Sequence, residues 1–214
     1  NPHAVTVPGA ISAWCRLHQD HGSLPLSRLF QRAIDYAVGG FRITPRVAKD
    51  WAASVHVLGD DARGVLMPSG QPPQPGDQLR QPSLGQLLHQ IAEHGAAAFY
   101  EGSAARSMVD YLRSLGGLHS IEDFAEGRDD ASWHDPISAD YRGFTVHECP
   151  PNGQGIAALL ILKIIEGFDM ATLPEADRTH ILAEATKLAY HHRDALVGDP
   201  DHSGDVVATL LSDQ

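Results

Sequence analysis

Residues Tyr141 to Leu160 read YRGFTVHECPPNGQGIAALL, and the fold turns on how this stretch is read. Phe144, Thr145 and Val146 have the β-branched and aromatic character of a strand. Pro150 and Pro151 end it, since proline brings no N–H to a ladder. Gly153-Gln154-Gly155-Ile156-Ala157-Ala158 then fits G-x-G-x-x-A and opens an apolar helical run. Either these glycines form the phosphate-cradling turn of a dinucleotide-binding unit, or they let a helix begin close against neighbouring backbone.

The dinucleotide reading needs more than the glycines. A second, parallel strand must follow the helix, with an acid at its end for the ribose. Glu166 and Asp169 stand at a suitable distance, but they end one helix and lead into another. The two prolines also remove N–H donors that a phosphate would use. Close approach is the better reading. A helix starting here also turns free N–H groups outward, toward a substrate carboxylate for example. Asn152, Gly153, Gln154 and Gly155 are therefore the candidate substrate-binding residues.

Working outward, Ile137–Cys149 reads as two strands about a turn at Arg142-Gly143. Ile137, Phe144 and Val146 are apolar, and a lone hairpin is not a stable sheet. The expectation is that these strands join a sheet made from chain outside this stretch. Helices are expected over 153–167 and 175–197. On the second, Ile181, Leu182, Ala185, Leu188, Ala189, His192 and Leu196 share one face, which predicts burial. His192 is then a core histidine holding a hydrogen bond, with Arg193 and Asp194 turned to a flanking loop.

Upstream the pattern is helical throughout. VPGAISAWCRLHQDHG carries Pro8 in its first turn and stops at Gly22. LPLSRLFQRAIDYAVGG places Leu26, Leu29, Phe30, Ala33, Ile34 and Ala37 on one face and stops at Gly39-Gly40. Pro45 opens a third helix, closed by Gly59 and Asp60-Asp61. Residues 64–82, rich in proline and glycine, read as a surface loop. Ser83 is the expected N-cap of the helix ending at Gly95, and Ser120 with Asp123 forms a near-capping box.

The chain has 214 residues and a net charge of −11. That charge argues against a nucleic-acid or anionic-membrane partner. No apolar run is long enough to span a bilayer. Cys15 and Cys149 are too few for a disulfide framework and mildly favour a reducing compartment. The thirteen histidines show no H-E-x-x-H or comparable ligand spacing, and Asp199-Pro200-Asp201 lacks the spaced oxygens of a calcium loop. No metal and no cofactor is expected. Nor is there a G-x-S-x-G, a P-loop or a cysteine–histidine pair.

The order of several blocks is more telling than any one of them. VPGAISAW, HGSLPLSRLFQRAIDYAVGGFRITPRVA, LRQPSLGQLLHQIAEHGAAAFYEG, LGGLHSIEDF, YRGFTVHECPPNGQG, ILKIIEGFD and LAEATKLAYHHRDALVGDPD together resemble the large-subunit part of the γ-glutamyltransferase (γ-glutamyltranspeptidase) family. That resemblance implies an α+β fold, the mostly helical portion of an N-terminal-nucleophile hydrolase αββα sandwich. Residues 1–214 would be a single-domain portion of a larger precursor. The precursor cuts itself before a threonine, whose hydroxyl is the nucleophile and whose α-amine is the base. The product acts on γ-glutamyl or related amide bonds, glutathione among them, through an acyl-enzyme.

Where the family usually reads P-P-P-x-S-G-G, this chain has Pro150-Pro151-Asn152-Gly153-Gln154-Gly155, which resembles an amidohydrolase-type branch. Thr179 falls within a helix and Thr145 within a strand, so neither opens the family's nucleophile strand. The nucleophile is expected on a small subunit of the same precursor, and the carboxylate-gripping arginine upstream of Asn1. No residue of the chain is assigned a catalytic role. The expected partners are that small subunit and a small amide or γ-glutamyl substrate, in the cytoplasm or the periplasm. Two alternatives stand beside this: a non-catalytic scaffold or binding protein of the same fold, and a nucleotide-binding α/β domain.

Overall fold

The computed structural model describes residues 1–199 and 202–212. Pro200 and Asp201 of the acidic loop lie outside them. The chain forms two compact units, Asn1–Ser132 and Trp133–Gln214.

In chain order the first unit contains α1 (Ala10–His21), α2 (Leu26–Gly39), β1 (Phe41–Arg42), α3 (Pro45–Ser54), α4 (Asp60–Leu66), β2 (Gln78–Leu79), α5 (Pro82–His94), α6 (Ala96–Tyr100), α7 (Ser103–Ser114) and α8 (Ile121–Glu126). Ile11, Ile91, Phe99, Tyr100, Val109 and Phe124 make its main core. The start of α1 shows how the core reaches back to order a helix end. Its N-cap, Gly9, has no side chain to cap with. The buried Tyr100 hydroxyl takes that part, accepting the Ser12 N–H at 3.1 Å and donating to the Pro8 carbonyl. Burial raises the Tyr100 hydroxyl's pKa. The helices α2 and α5 pack together at Gly85, where a β-carbon would stand 2.5 Å from Val38 Cγ2.

Several local expectations are corrected here. Asp60 and Asp61 do not end a helix; they occupy the first turn of α4, where acids complement the helix dipole. Ser83 lies inside α5, because Pro82 takes the first helical position and Gln81 stands at the N-cap, where its side chain makes no capping bond. The 64–82 segment is not all loop: β2 pairs antiparallel with β1. The apolar face of α2 is only partly covered, with Ala37 buried and Leu29 51% exposed. Together with Trp14, Leu17, Phe30, Leu84 and Leu88, Leu29 lines an open groove of about 710 Å3.

In the second unit, β3 (Ile137–Tyr141) and β4 (Phe144–Glu148) form an antiparallel hairpin, followed by α9 (Gly155–Glu166), α10 (Glu175–Leu196) and α11 (Val206–Leu210). Arg142 and Gly143 turn the chain with φ of 51° and 80°, the pair of left-handed residues that suits a tight hairpin. Among the described residues no third strand joins this hairpin. Ile137 packs on a cluster around Ile156, Val206 and Leu210, whereas Phe144 is 76% exposed. The helix α9 is apolar on nearly every side, and it is covered by the hairpin, α10 and α11.

The expected burial on α10 holds for only part of the face. Its buried residues are Ala185 and Ala189. Leu188 is 50% exposed and His192 is exposed. The stripe in use runs at four-residue spacing through Ala185, Ala189 and Arg193. Two alanines let α9 and α10 approach closely, and that approach buries the small residues of the expected face and leaves its leucines at the edge.

Candidate functional site

The corner between β4 and α9 is built by a steric demand at one glycine. A β-carbon on Gly155 would stand 2.7 Å from Glu148 Cβ and 2.9 Å from the Cys149 carbonyl oxygen. Neither neighbour is the free end of a flexible chain, so only glycine fits where α9 meets the end of β4. Gly153 is under no such pressure; its nearest neighbour would be Pro150 O at 3.6 Å. The expected close approach therefore belongs to Gly155 and not to Gly153. Glu148 Oε2 also comes within 2.9 Å of that virtual β-carbon, placing a carboxylate of the chain itself beside the α9 N-terminus.

Of the four candidate residues, Asn152, Gly153 and Gln154 are exposed and Gly155 is half-buried. Gln154 is the N-cap of α9, and its side chain does not cap that helix. Its Oε1 instead accepts from Arg193 Nη1 at 2.8 Å, which ties the turn to the last turns of α10. Arg193 Nε and Nη2 both donate to Asp194 Oδ1, at 2.8 and 2.6 Å, and the guanidinium lies 4.2 Å over the Tyr190 ring. Arg193 thus turns to a loop as the sequence suggested, the one before α9, and its side chain is 21% exposed. The small-residue spacing before Arg193 signals this face. Nothing in the sequence pairs it with a glutamine 39 residues away.

Two concavities lie in the second unit. One, of about 300 Å3, is lined by His134, Pro136, His147, Glu148, Cys149 and Pro150. The other, of about 600 Å3, lies among α9, α10 and α11, with Lys163, Glu166, His192 and Thr209 on its wall. Among the described residues no group of three or more His, Cys, Asp or Glu is placed to hold a metal ion. Thr179 and Thr145 are each tied to a local partner. Thr179 Oγ1 donates to the Glu175 carbonyl at 2.9 Å inside α10. Thr145 Oγ1 donates to Asp140 Oδ1 at 2.6 Å across the hairpin. Both cysteines are free thiols, and burial pushes the Cys15 thiol up, away from the reactive thiolate. No described helix is long and apolar enough to cross a membrane.

The chain belongs to the gamma-glutamyltranspeptidase family, whose sequence model matches residues 1–214. Among curated relatives, the glutathione hydrolase-like YwrD proenzyme of Bacillus subtilis is 34% identical over 97% of this chain and 40% of that protein. The glutathione hydrolase proenzyme of Escherichia coli is 34% identical over 92% of this chain and 35% of its own length. The chain thus spans about 40% or less of the relatives named here. Cephalosporin acylase from Bacillus halodurans superimposes with a TM-score of 0.86 at 35% identity, over the whole chain and 41% of that structure. Gamma-glutamyltranspeptidase from Helicobacter pylori gives 0.83 at 25% identity, over the whole chain and 66% of that structure. The fold is accordingly the α+β, largely helical portion of an N-terminal-nucleophile hydrolase.

Proposed function

We propose that residues 1–214 are the large-subunit segment of a γ-glutamyltransferase-like amidohydrolase or acyltransferase that matures from a self-cleaving precursor. The observation that carries this is the match of the family over the entire chain to relatives that are proenzymes. The committed hydroxyls of Thr145 and Thr179 support a nucleophile outside these residues. In the proposed reaction a threonine hydroxyl on the small subunit attacks the amide carbonyl, and its α-amine takes the proton. The amine leaves with a proton and an acyl ester remains. Water then hydrolyses that ester, or an acceptor amine carries the acyl group away.

In this reading the small subunit of the same precursor is the chain's partner, and the substrate is a small amide or γ-glutamyl compound. The 152–155 turn faces that substrate. The net charge of −11 supports a protein that engages neither nucleic acid nor an anionic membrane. Two free cysteines support the cytoplasm, with the periplasm as the alternative. The test is hydrolysis by the purified full-length gene product of L-γ-glutamyl-p-nitroanilide, a glutaryl amide and oxamate. Turnover of at least one, abolished when the small-subunit threonine is replaced by alanine, is the expected result. No turnover of any amide by a correctly cleaved protein would favour the non-catalytic scaffold.

A further inference from the structure

We infer that Arg193 is a positioning residue for the 152–155 turn, fixing Gln154 so that its carboxamide nitrogen, and not its oxygen, is offered to a ligand. A guanidinium has donors and no acceptor. Its bond to Gln154 therefore requires the amide oxygen, and Arg193 Nη1 meets Oε1 at 2.8 Å. The Gln154 NH2 group is then the face left for other partners. Arg193 is itself held on two further sides, by Asp194 Oδ1 through Nε and Nη2 and by the Tyr190 ring at 4.2 Å. A guanidinium so fixed loses little further freedom in gripping the amide. The ligand chemistry follows: the turn selects an acceptor oxygen, of the kind an amide carbonyl or a carboxylate carries. This specificity rests on the reading that the turn faces the substrate.

The experiment uses the matured full-length gene product with L-γ-glutamyl-p-nitroanilide as probe. Gln154→Glu keeps the contact to Arg193 but replaces the outward donors by an acceptor. KM is expected to rise about tenfold, the worth of one hydrogen bond to a charged or strongly polar group, with kcat changing less and Tm not falling. Arg193→Met is expected to raise KM similarly, and Gln154→Met/Arg193→Met to be no worse than Gln154→Met alone. Arg193→Lys keeps the charge and a donor and is expected to fall between wild type and Arg193→Met, which also serves should the methionine variant fold poorly. If Gln154→Met raises KM while Arg193→Met and Arg193→Lys do not, the turn faces substrate and Arg193 does not position it. Additive effects of the two methionine changes overturn the positioning role as well. If Gln154→Met and Gln154→Glu both leave KM at the wild-type value, the reading of the turn as substrate-facing fails, and the inference fails with it.

Discussion

The helices α8 and α9 begin in opposite ways. At α8, Ser120 Oγ accepts the Asp123 N–H at 3.1 Å and Asp123 Oδ2 accepts the Ser120 N–H at 2.8 Å, so two residues three apart close the end reciprocally. At α9 the N-cap side chain does no such work. Its start is set by Gly155 lying against Glu148 and Cys149, and by Arg193 reaching back from the far end of α10. The first kind of helix end is local chemistry. The second kind exists only once the unit has folded, and it leaves the N-cap side chain free to be aimed by a distant residue. On the proposed reading, this is why the α9 corner, and not α8, carries the site.

The largest expected effect tests what holds α8 once its cap is made. Phe124 is only 1% exposed in the core of the first unit. Phe124→Ala should cost about 3–5 kcal/mol in urea denaturation, through lost burial and the cavity left behind. Gly155→Ala should come next, at about 1–3 kcal/mol, because the added methyl meets backbone and a β-carbon that cannot swing away. A neutral Gly155→Ala would mean that the two segments separate easily, and the non-local account of α9 would be lost. Ser120→Ala should cost about 1 kcal/mol, the ordinary worth of an N-cap. If it costs as much as Phe124→Ala, the cap and not the core contact holds α8. Gly153→Ala should change stability by no more than about 0.5 kcal/mol, since the new methyl meets only ordinary contact distances. A loss equal to that at Gly155 would put the steric demand at the wrong glycine.

The same contrast explains what could be read before the structure. The α8 box, the stop signals at Gly22, Gly40 and Gly95, and the Arg142-Gly143 hairpin turn all act over a few residues, and each is found where it was expected. The two-residue strands β1 and β2 are too short to show any alternation, so their pairing left no trace in the sequence. The Tyr100 hydroxyl that completes α1 comes from 88 residues away, which local patterns do not encode. On α10 the expected face is buried at Ala185 and Ala189 and exposed at Leu182, Leu188 and His192. Hydrophobicity ranks leucine above alanine, but the close approach of α9 rewards small residues, and Ala185 and Ala189 are the ones buried. At the candidate site the need for glycine was legible; which glycine, and the link between Gln154 and Arg193, required coordinates.

The most direct measurement of the central claim is the intact mass, with the N-terminal residue of each chain, of the freshly purified full-length gene product before and after incubation. The account predicts that one precursor becomes two chains, that the smaller begins with threonine, and that replacing this threonine by alanine leaves the precursor whole and inactive. A single uncut chain that hydrolyses L-γ-glutamyl-p-nitroanilide at full rate would contradict it.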